Sequence, residues 1–199
     1  MATIGLSKPY YAVYSNTGST VSYSNGGILA KAVEFSAEIE NTDDNNLYAD
    51  NAIAETDRSF SGGTLTITTD DLTQEASAAI LGLTAQSITI EGVTTETPTE
   101  LIFGEAQTIP YLGFGIIIKK KVGGIYKWRA VVFTKIMFNV PSDAATTQGE
   151  TIEWQTPELT ATIMRDDSTN HVWKRESTLD SEADAEAYIK NCLNITNAA

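Results

Sequence analysis

One histidine, His171, and one cysteine, Cys192, are all the chain offers of two side chains much used in catalysis and transition-metal binding. A catalytic imidazole needs a nucleophile or a carboxylate brought to it, and His171 stands in a polar turn beside Asn170, an ordinary surface setting. A structural zinc site needs several Cys and His ligands, so one of each cannot build it, and a lone thiol cannot close an intrachain disulfide. Asp43-Asp44-Asn45-Asn46 has the oxygen density of a calcium loop. An EF-hand, however, wants an oxygen ligand and then a glycine where this chain has Leu47 and Tyr48, which leaves a looser calcium site as the only calcium reading. There is no Gly-Lys-Ser/Thr phosphate loop, no Gly-x-Ser-x-Gly elbow and no Gly-x-Gly-x-x-Gly turn. Paired carboxylates are frequent, as they must be in so acidic a chain, and without a cleft they read as solvated charge rather than acid and base. The expectation is a protein that is not an enzyme and that needs no cofactor or metal.

Charge narrows the classes further. Thirteen Lys plus Arg stand against 26 Asp plus Glu, a net charge of -13, which opposes phosphate and anionic lipid unless basic residues gather on one surface. They gather in part at Lys119, Lys120, Lys121, Lys127, Arg129 and Lys135. Such a set suits either a nucleic-acid patch or, the reading preferred here, lysines that guard strand edges and meet acidic surface on another copy of the chain. The longest apolar run, around Phe114–Ile118, falls far short of the roughly 20 residues that span a bilayer. No basic, apolar and cleavage regions of a signal peptide stand at the start, so no membrane partner is expected and synthesis in a cytoplasm is the simple reading. At 199 residues the chain is read as one domain, 1–199, with an N-terminal arm at about 1–9 and a C-terminal helix and tail at about 180–199.

Mostly strands must position these groups. In 32–40 the apolar Val33, Phe35, Ala37 and Ile39 alternate with Glu34, Ser36, Glu38 and Glu40, the two-residue period of a half-buried strand. Alternation returns in 61–68 with Leu65 and Ile67, and between the two lies a long acidic loop, 41–59. Tyr10–Tyr14 reads as a strand with a turn at Asn25-Gly26-Gly27, Ser87–Val93 as another strand, and 111–120 with 125–138 as a hairpin closed by Gly123-Gly124. On its second arm Tyr126, Trp128, Ala130, Val132, Ile136 and Phe138 are expected on one face and Lys127, Arg129 and Lys135 on the other. Strand character resumes at Thr151, with a phase change at Thr156-Pro157 that calls for a bulge. Helices are expected at about 71–81, stopped by Gly82, and at about 181–193, capped by Asp180-Ser181, with Ala183, Ala187, Tyr188, Ile189 and Cys192 inward. The fold class is mainly β.

Taken in order, Ile4–Ala12, Ala32–Glu40, Asn45–Asn51, Ser61–Thr66, Leu81-Gly82 and Trp154–Leu159 give the chain its likeness. The series resembles the major tail proteins, or tail tube proteins, of long-tailed bacteriophages, in the group found in phages of Gram-positive hosts. The resemblance implies a β-sandwich of two antiparallel sheets with a flanking helix. It further implies hexameric rings stacked into a hollow tube through which phage DNA leaves, with neighbouring subunits continuing one another's strands into a closed inner barrel. The partners it implies are the chain itself, a tape-measure protein, and tail terminator or baseplate proteins; DNA passes without specific binding, and the location is the virion, after assembly in the host cytoplasm. On this reading Glu34, Glu38 and Glu40 face the bore. Asp43, Asp44, Leu47, Tyr48, Asp50, Asp57 and Arg58 cross to the adjacent ring, and the basic set lies at a subunit interface. A solvent-exposed outer face is the plain alternative for the three glutamates, since alternation alone does not say which side is the lumen. The rival functions are the inner tube of a contractile tail or injection system and, from another class, a cell-surface or carbohydrate-binding β-sandwich.

Overall fold

A computed structural model describes residues 2–43, 45–92, 97–142, 147 and 155–196. The expected alternation is realised in a continuous antiparallel sheet whose spine is the hairpin β9 (Leu112–Val122) and β10 (Ile125–Phe138). Gly123 and Gly124 turn it with φ of 57° and 87°, the left-handed pair that a tight hairpin demands. Beyond β9 lie β1 (Ala2–Thr17) and β2 (Thr20–Ile28); beyond β10 lie β11 (Glu158–Met164), β6 (Phe60–Thr69) and β3 (Ala32–Asn41). A last strand, β12 (Lys174–Leu179), also pairs with β10. The upper part of β10, Trp128–Phe133, bonds β12, and its lower part, Lys135–Phe138, bonds β11.

That change of neighbour folds the sheet over. Phe35 of β3 lies 6.2 Å from the ring of Phe114 on β9 and 6.3 Å from that of Phe133 on β10, although β3 is hydrogen-bonded to neither. Two layers, β3-β6-β11 and β1-β9-β10, therefore face each other as a β-sandwich. Between them Leu65, Ile67, Phe114, Ile116, Phe133, Ile136, Phe138 and Ile163 are buried. The helix α1 (Gln74–Leu81), starting later than expected, is capped by Thr73 and stopped by Gly82 at φ 64°, and it adds Ala76, Ile80 and Leu81 to that core.

A second, smaller core lies on the other side of β10. There α2 (Glu182–Cys192), capped by Ser181, lays Ala185, Ile189 and Leu193 over Tyr10, Ala12, Ile117, Ala130 and Val132. The close approach needs glycine beneath the helix: a Cβ on Gly115 would stand 2.4 Å from Ile189 Cγ2, and one on Gly113 2.5 Å from Leu193 Cδ2. This overturns the expectation of one apolar face on the second arm. Ala130 and Val132 point to α2, Val131 and Phe133 point into the sandwich, and a register shift between Phe133 and Ile136 turns Ile136 and Phe138 into the sandwich as well. On α2 the buried stripe runs through 185, 189 and 193, so the expected Ala183 and Ala187 are exposed instead.

Other boundaries also move. The first hairpin turns at Gly18-Ser19 rather than at Asn25-Gly26-Gly27, which sits beside a bulge. Residues 2–9, expected as an arm, belong to β1, and Ala2–Ser7 pair with β9. The strand expected over Ser87–Val93 does not form there: residues 88–92 are irregular or turn, and the strand lies before them as β7 (Thr84–Ser87), paired with β8 (Thr99–Ile102). Within 41–59 stands not an irregular loop but a two-stranded hairpin, β4 (Asn45–Ala49) and β5 (Ala52–Asp57). The strand expected at Thr151 lies outside the described residues.

α2 is tied to β1 by a charged knot at Glu186, which accepts from Tyr10 Oη at 2.7 Å, pairs with Lys190 at 2.7 Å and meets Lys8. The hydrogen bond from Lys190, then those from Lys8 and Tyr10, hold its carboxyl down at about 2 against an ordinary 4.5. A depressed carboxylate stabilises above its unfolded value, so this contribution is complete above about pH 4.5 and is lost as pH falls toward 2. Urea unfolding should show Glu186→Gln to be about 1–2 kcal/mol less stable at pH 7, with a shallower decline than the native chain between pH 4.5 and 2.

Candidate assembly surfaces

His171 and Cys192, the two side chains that the sequence singles out, stand on separate elements, the turn before β12 and α2. His171 sits exposed in a turn at φ 49°, its Nδ1 3.2 Å from the carbonyl of Asp166, while Cys192 is half-buried on α2. Among the described residues no three of His, Cys, Asp and Glu stand together as a metal cluster, and no helix is long and apolar enough to cross a membrane. What the fold does present is three exposed surfaces.

The first is the outer face of β3, β6 and β11. Cross-strand register lines up Glu34, Thr68 and Glu158; Ser36, Thr66 and Thr160; and Glu38, Thr64 and Thr162, with Glu40 beside Gly62. The result is a wall of hydroxyls and carboxylates, and none of these three strands carries a Lys or Arg. Glu34, Glu38 and Glu40 are all exposed. The apolar partners on the opposite side need correction, because Val33 is 54% exposed: a register shift between Ala32 and Glu34 lets Ala32 turn inward in its place. Phe35 and Ala37 pack on the core as expected, whereas Ile39 near the strand end is 37% exposed. Glu158 joins this face without having been singled out from the sequence, although the buried Leu159, Ala161 and Ile163 already imply that 158, 160 and 162 share the other side. β3 ends the sheet order, so its outer edge carries no strand among the described residues.

The second surface is the β4–β5 hairpin. Its stem closes where Thr42 N–H donates to the carbonyl of Ser59 at 2.8 Å, and Phe60 at the root stacks on Trp173 at 4.5 Å. Beyond that root β4 and β5, among the described residues, pair only with each other, through a tight turn at Asp50-Asn51 with φ of 51° and 62°. Tyr48 and Ile53 face each other across the ladder, and with Leu47 they are 66%, 55% and 59% exposed. Asp43, Asp50, Glu55, Asp57 and Arg58 are exposed beside them; Asp44 lies outside the described residues.

The third surface is basic, and it divides the expected set. Lys127 pairs with Asp180, Arg129 with Glu176, and Lys135, only 14% exposed, with Asp167 at 2.7 Å beneath the rings of Tyr14 and Tyr111. Lys119, Lys120 and Lys121 make no ion pair among the described residues. Lys119 and Lys121 lie over the ring of Tyr126, and Lys120 donates to Thr178 Oγ1 at 2.9 Å. They crown the β9–β10 tip together with the exposed Val122, Ile125 and Tyr126 and with Ile4, which a bulge in β1 leaves outward beside them.

Comparison with protein-family models and with curated proteins found no match to this chain.

A two-stranded hairpin without a third strand or a helix to pack on is marginally stable in water. In the isolated chain, amides of 45–57 should therefore exchange with deuterium at least about a hundredfold faster than those of β6 and β9. Mass-spectrometric exchange over minutes checks this.

Proposed function

We propose that the chain is a structural virion protein, a tail tube subunit of a long-tailed bacteriophage, whose copies close into rings that stack around a bore for phage DNA. The observation that carries the reading is the β3-β6-β11 wall, a face of serine, threonine and glutamate with no cation on its strands and, at β3, an edge that no strand pairs among the described residues. Duplex DNA carries about one negative charge per 1.7 Å of its axis, so cations along a bore would hold it by counterion release. Carboxylates repel it, and hydroxyls keep a water layer between. The same wall explains the edge: a strand ending in open N–H and C=O groups invites another chain, and a closed ring of subunits removes every such edge at once.

In this role the chain's partners are its own copies, a tape-measure protein within the bore, and terminator or baseplate proteins at the ends, with DNA as cargo rather than ligand. The β4–β5 hairpin is the element that reaches the adjacent ring.

Removing residues 43–57 in favour of a short Gly-Ser link should leave a folded chain, judged by circular dichroism, that forms no tubes by electron microscopy; tubes of normal appearance would reject the role given to the hairpin. Replacing Glu34, Glu38 and Glu40 with Lys should slow DNA ejection from assembled particles by about tenfold or more at low salt, and less at high salt. An unchanged ejection rate would count against a bore lined by this face.

A further inference from the structure

The tube reading leaves open what receives the hairpin. Resting on that reading, we propose that the β4–β5 hairpin of one copy seats on the β9–β10 tip of the next, apolar centre on apolar centre and carboxylates on lysines.

The hairpin carries a cost as it stands. Leu47, Tyr48 and Ile53 are more than half exposed, β5 is exposed throughout, and among the described residues no other sheet or helix backs it. Large apolar side chains grouped on an unsupported hairpin mark a surface that another body covers. Its charge is predominantly negative: residues 43–57 contain five acids and no Lys or Arg, with Arg58 next to them at the root. The β9–β10 tip is the counterpart in both respects. Residues 119–127 contain four lysines and no acid, and Ile4, Val122, Ile125 and Tyr126 are each exposed at or beside this tip, Val122 paired with Ile125 and Lys121 with Tyr126 across the hairpin.

Charge also identifies the occupant as a second copy. A chain with net charge -13 repels itself over most of its surface. Many of its cations are already paired within the fold: Lys8 and Lys190 with Glu186, Lys31 with Asp70, Lys127 with Asp180, Arg129 and Lys174 with Glu176, Lys135 with Asp167. Lys119 and Lys121 on one face of the tip and Lys120 on the other make no ion pair among the described residues, and the ring of Tyr126 and Thr178 respectively hold them in place without neutralising them. An approaching acidic copy meets attraction at this tip and repulsion around it, which selects orientation as well as partner. The contact joins two different patches of the same chain, so it repeats head to tail and propagates.

Charge swaps outside the core test it. Asp50→Lys, Glu55→Lys and Asp57→Lys together, and separately Lys119→Glu, Lys120→Glu and Lys121→Glu together, should each raise the protein concentration needed for assembly by about tenfold or more. A chain carrying both sets, or an equimolar mixture of the two single-set chains, should regain assembly near the native concentration, because either arrangement again sets opposite charges face to face. Should a set prevent folding, an oxidised mixture of Tyr48→Cys and Ile125→Cys chains, each in a Cys192→Ser background, probes the same contact. A mixed disulfide formed only under assembling conditions supports the contact, and its absence from normal tubes overturns it. Native tubes together with single-set variants that assemble as well as the native chain reject the docking and leave the tube reading standing. A native chain that stays monomeric at every concentration rejects the tube reading, and the docking with it.

Discussion

The change of partner along β10 is the constraint on which the rest of the molecule depends. One strand bonds β9 along most of one edge while its other edge passes from β12 to β11, and the register shift after Phe133 marks the handover. Because β11 leads on to β6 and β3, this bend brings Phe35 over Phe114 and Phe133 and turns a single ribbon of strands into two layers with a shared interior. Burial of large side chains there, each contributing about 1.5–3 kcal/mol relative to exposure, drives the closure. The outer surfaces inherit their positions from it.

Both faces of β10 are covered where α2 docks, and that has a consequence for the surface chemistry. With Ala130 and Val132 under the helix and Val131 and Phe133 in the sandwich, no side of the strand remains for charge until its ends. Lysines therefore concentrate at the β9–β10 tip, and Lys135 at the other end is absorbed by Asp167 and two tyrosine rings. The layer built from β3, β6 and β11 is covered on one side only among the described residues, so beyond the bulge at Val33 it alternates, and the paired rows on its free side are hydroxyl and carboxylate. An acidic wall, an acidic hairpin and a basic tip are thus separate products of one packing arrangement.

Much of this was legible from residue order, through short-range rules. Gly123-Gly124 announces its turn because φ above zero costs glycine nothing, and Gly82 and Ser181 mark helix ends by filling groups the backbone leaves open. Leu159, Ala161 and Ile163 declare a half-buried strand, and Glu34, Glu38 and Glu40 share one side because the side-chain period of a strand is two. The turn at Gly18-Ser19 was less visible, since Asn25-Gly26-Gly27 is a stronger local signal and the structure spends it on a bulge instead. The hairpin inside 41–59 was hidden by its acids, although Asp50-Asn51 is suited to a tight turn.

By itself, then, the amino-acid order determined most of the long strands and both helices, which residues of a strand alternate together, and where charge of each sign collects. Tertiary structure alone decided which parity is core. A bulge in β3 releases Val33 and admits Ala32, a shift in β10 reverses Ile136 and Phe138, and α2 buries a face that alternation would assign to solvent. It alone set Glu158 in one row with Thr68 and Glu34, and it alone separated Lys135 from Lys119, Lys120 and Lys121. The physical reason is range. Backbone stereochemistry and side-chain period act over a few residues, whereas the cover on each face is supplied by segments far away along the chain, as when Glu186 on α2 receives Tyr10 from β1.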